Sequence, residues 1–197
     1  MIVDGVEMDV ENGYRFDTTG LHTIEFVLRD GIIRDDMFGG VTHIISVAIP
    51  DSVTDIEEGT FGMCSNLKSF YGKFASDHGR CLIIDGTLIK AAIAGITEYT
   101  IPDSVTKIGD NAFRGYSSLI SVNIPNSVTT IGQWSFMYCN NLTNVYCKAT
   151  TPPALGYNVF GNNDSGCKIY VPMESVESYK SASGWSNYAD AIVGYNF

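Results

Sequence analysis

The amino-acid sequence predicts a β-rich solenoid of about 23 residues per turn, built of short strands with 3-10 or helical turns and capped at both ends. Three features carry that expectation. A hexapeptide recurs, as Ile-Pro-Asp-Ser-Val-Thr from Ile49 and from Ile101, and as Ile-Pro-Asn-Ser-Val-Thr from Ile124. Residues 101–123 and 124–146 share 10 of 23 positions, and 49–71 and 101–123 share 11, where average composition gives about one or two. The apolar grid then runs on through each unit: Ile56, Ile108 and Ile131, then Phe61, Phe113 and Phe136, then Leu67, Leu119 and Leu142.

Taken in chain order, residues 1–25 hold no repeat. Tyr14-Arg-Phe16 and His22-Thr-Ile24-Glu-Phe26 alternate around Asp17-Thr-Thr-Gly20, which reads as an N-terminal β-hairpin cap with an acidic outer face. The solenoid spans 26–146. Its first unit, 26–48, is degraded but keeps Ile33, Phe38, Ile44 and Val47 on the grid. The spacing from Ile49 to Ile101 is 52 residues, so a variant unit occupies 72–100. Its centre, Cys81-Leu-Ile-Ile-Asp85-Gly86-Thr-Leu-Ile, is two apolar runs about Asp-Gly and predicts a β-hairpin. Within a full unit, Leu119, Val122 and Ile124 mark a short strand ending at Pro125. Val105 and Ile108 point inward from a second extended piece, and Asn111-Ala112-Phe113 forms a turn or 3-10 segment. Residues 147–197 form a C-terminal cap. Pro152-Pro153 breaks the repeat, Lys168–Pro172 supplies a strand, Ser175–Ala182 a short helix, and Trp185, Tyr188 and Ile192 close the core.

The pattern Ile-Pro-x-Ser-Val-Thr-x-Ile-Gly-x-x-Ala-Phe-x-x-Cys-x-x-Leu-x-x-Val resembles the BspA-type leucine-rich-repeat family of bacterial surface proteins over about residues 26–172. The resemblance implies a leucine-rich-repeat solenoid. It also implies relatives secreted by, or anchored on, host-associated bacteria, some of which bind host matrix proteins. Two departures stand out: Tyr116 replaces the family Cys, and Glu57 replaces the Gly.

Charge and composition narrow the function. The net charge of −10 is concentrated in residues 1–60, which hold 13 acidic and 3 basic side chains. With no basic patch to offset this, nucleic acid is not an expected partner. No apolar run approaches the ~20 residues of a membrane span, so membrane insertion is not expected. Met1-Ile-Val-Asp-Gly-Val has neither a basic segment nor a long apolar stretch, so no secretory signal is expected within this chain.

Chemistry is sparse. Cys64 and Cys139 sit at a repeat core position and Cys81 begins the hairpin, as buried thiols do. Cys147 and Cys167 flank the C-terminal insertion, and as neighbours in the sheet they would be candidates for a disulfide. The absence of a C-x-x-C pair speaks against structural zinc. His22, His43 and His78 are scattered; His78 and Cys81 are a poor nucleophile pair because nothing orients the base. Asp35-Asp36 and Glu57-Glu58 read as solvated corners, and Gly161–Gly166 as a plain loop rather than a calcium loop. No catalytic residue, metal or cofactor is expected, and an enzyme acting on glycans is the remotest reading.

What remains is the outward face of the strands. One row reads Ser46, Ser69, Glu98, Ser121 and Asn144, and its neighbour Ala48, Tyr71, Thr100, Asn123 and Tyr146. Hydroxyl and amide groups with two tyrosines, nearly uncharged, suit an adaptable binding surface. The expected function is a non-enzymatic interaction module of a secreted or surface bacterial protein. Its expected partner is a host or neighbouring-cell protein, such as extracellular matrix or mucin. The alternative is a structural spacer with no ligand of its own.

Overall fold

A computed structural model describes residues 2, 3, 6, 7, 20, 22–25, 28 and 30–197. The chain coils as a β-solenoid in which each turn lays its strand parallel to that of the turn before. Glu98–Thr100, Ser121–Ile124, Asn144–Cys147, Lys168–Pro172 and Ile192–Tyr195 lie side by side in that order. The register follows the repeat: Glu98 pairs with Ser121, Ser121 with Asn144, and Asn144 with Lys168. Equivalent residues therefore stack, and Val122, Val145, Ile169 and Ile192 form one buried column. A second sheet joins Lys107–Ile108, Thr130–Ile131 and Ala154–Leu155 to the hairpin strands Thr87–Ala91 and Cys81–Ile84. The N-terminal half repeats both layers on a smaller scale, pairing Ser46–Ile49 with Ser69–Gly72 and Ile32–Ile33 with Asp55–Ile56.

The hairpin expected at Asp85-Gly86 is present, with both turn residues in the left-handed region (φ 47° and 76°). It stands between two cores. Cys81, Ile83, Leu88, Ala91 and Ile93 face the C-terminal core, whereas Leu82, Ile84, Ile89 and Ala92 face the N-terminal one. Side chains alternate across a strand, so a ribbon with apolar groups on both faces is needed to seal both halves.

The repeat phenylalanines stack: Phe38 on Phe61 (5.3 Å), Phe113 on Phe136 (4.7 Å) and Phe136 on Phe160 (5.6 Å). Each such pair adds roughly 0.5–1.5 kcal/mol beyond the area it buries. In the variant unit Ala91 takes the ring's place. Its N–H donates to the Ala112 carbonyl as that of Phe113 donates to Ser135. Tyr116 makes good the missing volume, which accounts for its standing where other turns carry cysteine. The Cys64 and Cys139 thiols donate to the Phe38 and Phe113 carbonyls at 3.1 Å, and the Tyr116 hydroxyl instead reaches the Ala91 carbonyl at 2.5 Å.

Within the repeats, the segments expected as turns or 3-10 pieces are hydrogen-bonded turns. Two residues four apart adopt positive φ in each turn: Asp36 and Gly40, Gly59 and Met63, Asn111 and Gly115, Trp134 and Tyr138, Asn158 and Asn162. A left-handed residue reverses the chain before helical hydrogen bonds propagate. At Trp134 and Tyr138 a bulky ring in this region costs roughly 1–2 kcal/mol. Among the described residues, helices occur near the C-terminal end, as 3-10 segments Met173–Ser175 and Trp185–Ala191 around the α-helix Val176–Ser181. There Trp185 donates to the Pro153 carbonyl (2.7 Å), Tyr179 donates to that of Ala149 (2.8 Å), and Tyr188 packs edge-on against Phe160. Near the N-terminus, Ile2–Val3 pairs antiparallel with Val6–Glu7 and with Ile24–Glu25. The Tyr14–Phe16 arm of the expected hairpin, and Phe26, lie outside the described residues.

Lys90 enters the interior beside Ala91 and is 1% exposed. Its Nζ donates to the Asn111 carbonyl (3.3 Å) and lies 4.8 Å from the Tyr116 ring centre. Burial, with no carboxylate to offset it, pushes the ammonium from 10.5 down to about 8.

Two stability measurements test this account. Tyr116→Phe is expected to lose about 1–2 kcal/mol, and Tyr116→Cys about 2–4 kcal/mol, because the latter also opens a cavity beside Ala91; equal denaturation midpoints for wild type and both variants would refute the compensation. Between pH 8 and 10.5 the unfolded chain holds a proton on Lys90 that the folded chain lacks, so this group makes stability rise with pH there. The thiols of Cys64, Cys81, Cys139, Cys147 and Cys167 are all raised above 9.0 by desolvation and act oppositely, taking stability away as pH rises through about 9. With five such thiols against one lysine, urea midpoints should fall above about pH 8. Lys90→Met, which lacks the opposing lysine, should fall more steeply and be more stable at pH 7 by about 1–3 kcal/mol.

Candidate interaction surface

The predicted strand-face residues lie on two separate sheets rather than in unbroken rows. Ser46 pairs with Ser69 and Ala48 with Tyr71 on the N-terminal pair. Glu98, Ser121 and Asn144, with Thr100, Asn123 and Tyr146, belong to the five-stranded sheet. The turn of residues 77–80 lies between them. Phe70 donates to the Gly79 carbonyl and Ala92 to that of Arg80 (both 2.7 Å), while Tyr99 donates to Asp77 (2.8 Å). Asp77, His78 and Gly79 all take positive φ, so the chain doubles back there instead of extending the ladder. Row counting missed this because it assumed that every unit contributes a strand to one sheet.

On the N-terminal patch Tyr71 is 58% exposed and accepts a bond from the Ser69 hydroxyl (3.2 Å). On the larger patch the Asn123 amide donates to Thr100 (3.3 Å) and the Asn144 amide to Thr143 (3.1 Å). Beyond Tyr146 the face becomes aromatic. Tyr170 pairs in register with Tyr146 and stacks on it at 4.7 Å, and Tyr195 and Phe197 meet these rings edge-on. Tyr195 and Phe197 remain 42% and 51% exposed. Sequence reasoning left out Tyr170, Tyr195 and Phe197. The signal for Tyr170 was present, since Lys168-Ile-Tyr-Val repeats Asn144-Val-Tyr-Cys with one added residue. Desolvation, and after it the neighbouring phenols and Glu98, raises the pKa of the Tyr146 hydroxyl.

Groups with chemical potential are spent elsewhere or kept apart. The His78 ring is almost wholly exposed and 3.9 Å from Asp77, while Cys81 is buried with its thiol pushed up to about 11. Glu57 accepts the Asp35 N–H (2.9 Å), and Glu58 pairs with Lys107 and accepts the Asp110 N–H (3.0 Å). In the Gly161–Gly166 loop, Asn163 accepts the Cys139 N–H and Asp164 the Gly166 N–H. Among the described residues no three His, Cys, Asp or Glu side chains are grouped to hold a metal, and no helix is long and apolar enough to cross a membrane. All five cysteines are free. Cys147 ends its strand opposite Ile124, whereas Cys167 precedes the next strand, next to Lys168, which pairs with Asn144. The two lie out of register, so they are not bridged.

These features define a repeat protein whose distinctive chemistry is an aromatic, largely uncharged strand face. The family described as a BspA type leucine rich repeat region matches residues 12–75 and 92–183 in six copies, and the chain belongs to that family. The unmatched residues 76–91 contain the whole hairpin of Cys81–Ile84 and Thr87–Ala91, which stands as a septum between the two cores. A leucine rich cell surface protein from Faecalibacterium prausnitzii A2-165 has a similar fold, at 20% identity and a TM-score of 0.54, covering 77% of this chain and 47% of that one. A leucine-rich repeat protein from Eubacterium ventriosum ATCC 27560 is 22% identical at a TM-score of 0.39, covering 65% of this chain and 42% of that one. The chain thus spans less than half the length of either. No curated protein matches it.

Thiol accessibility follows from this packing. With Cys64, Cys81, Cys139 and Cys147 buried and Cys167 part-exposed, an aromatic disulfide reagent should titrate one thiol in the folded protein and five after unfolding. Mild oxidation should leave the monomer mass without a two-hydrogen loss; finding a Cys147–Cys167 peptide pair by mass spectrometry would contradict the register.

Proposed function

We propose that this chain is a non-enzymatic protein-interaction module of a secreted or surface bacterial protein, binding a host or neighbouring-cell protein through its strand face. The observation that carries the reading is the aromatic cluster in which half-buried Tyr146 and Tyr170 lie against exposed Tyr195 and Phe197. Rings of this kind supply large contact area with few rotatable bonds, and tyrosine is enriched where interfaces concentrate their binding energy. Ser121, Asn123 and Asn144 beside them offer amide and hydroxyl groups for a polar rim. Membership of a leucine-rich-repeat family and the likeness to a cell surface protein support the location.

Surface plasmon resonance against matrix proteins and mucins tests the reading. Binding is expected to fall about tenfold or more, a loss of about 1.4 kcal/mol or greater, in Tyr146→Ala/Tyr170→Ala. Tyr71→Ala, on the separate patch, should cost less. Binding unchanged by the double variant would remove the strand face from the function, and silence across the panel would favour the spacer.

A further inference from the structure

The C-terminal cap does not seal flush against the last turn. Between residues 155–158 and 183–188 it leaves an open cleft of about 550 Å³, within the ~300–1,000 Å³ of small-molecule sites. Leu155, Tyr157, Asn158, Ser183, Asn187 and Tyr188 supply its side chains, and none of them is charged. Tyr157 is 72% exposed, the largest exposure among the bulky apolar side chains described, and Trp134 stands at right angles to it at 6.4 Å. Trp134 lies outside the lining but backs Tyr157 from the left-handed position that Asp36, Gly59, Asn111 and Asn158 hold in other turns, at a cost in backbone strain. Gly184, at φ 80°, turns the cap loop close under Leu155 and keeps the floor open. The hydroxyls of Tyr157 and Ser183 and the Asn187 amide make no hydrogen bond to the described residues, while Tyr188 accepts from the Phe160 N–H and keeps its own proton to donate.

An exposed aromatic ring beside unspent hydroxyl and amide groups, with no charge, matches a neutral pyranose. The axial C–H face of such a sugar packs on a ring, and its equatorial hydroxyls need both donors and acceptors. From this cleft we infer that the chain carries a neutral-saccharide site, with Tyr157 as the stacking platform and Ser183, Asn187 and Tyr188 as hydroxyl partners. The site uses different elements from the strand face, and it holds whether or not that face binds a protein.

Isothermal titration calorimetry of the full chain with cellobiose, lactose and chitobiose tests it. At least one disaccharide should bind saturably, with a Kd of about 10 mM or tighter. Tyr157→Ala, which removes an exposed ring and leaves the core intact, should weaken that binding about tenfold or more, and Asn187→Ala several-fold. Tyr146→Ala/Tyr170→Ala should leave it unchanged. Absence of saturable binding for all three sugars overturns the site, as does wild-type affinity in Tyr157→Ala.

Discussion

The parallel ladder, in which each strand residue pairs with its counterpart one turn on, is the constraint from which the rest follows. It places Val122, Val145, Ile169 and Ile192 in one column and stacks Phe113, Phe136 and Phe160 in another. No single turn encloses its own apolar side chains, so stability passes between neighbours rather than arising within a unit. Anything that enters the array must satisfy two neighbours at once.

The septum hairpin meets that demand through three linked adjustments. Its ribbon is apolar on both faces, Ala91 replaces a phenylalanine, and Tyr116 replaces a cysteine to recover the volume. Lys90 is the cost of the arrangement. Its stem fills space between the cores, but its ammonium has a backbone carbonyl and an aromatic face for company in place of an anion. Lys90 and the buried thiols of Cys64 and Cys139 titrate in opposite senses, so their contributions to stability oppose one another at the junction between the halves.

Where the repeat leaves freedom, chemistry gathers. The outward strand positions need to satisfy no core, and there the tyrosines of successive strands align because the ladder aligns them. The cleft at Tyr157 occurs where the last turn gives way to a cap of different geometry. Both features lie toward the C-terminal end, whereas the excess of negative charge lies in residues 1–60.

Repeat length, the inward columns, the hairpin at Asp85-Gly86 and the closing role of Trp185 were legible in the amino-acid order. Each depends on local periodicity, on turn chemistry or on the alternation of a strand. The continuity of the strand face was not legible. A repeat count gives which residue follows which, but whether Ser69 and Glu98 share a sheet depends on where the backbone of 77–80 passes. The same holds for Cys147 and Cys167, whose separation in register arises from an added residue and the strand boundaries around them. The aromatic cluster and the cleft join residues far apart in the chain, Tyr146 with Phe197 and Tyr157 with Asn187. Local pattern sets what each segment becomes; which segments then meet is decided by how the turns stack, because contact across the solenoid is a property of three dimensions.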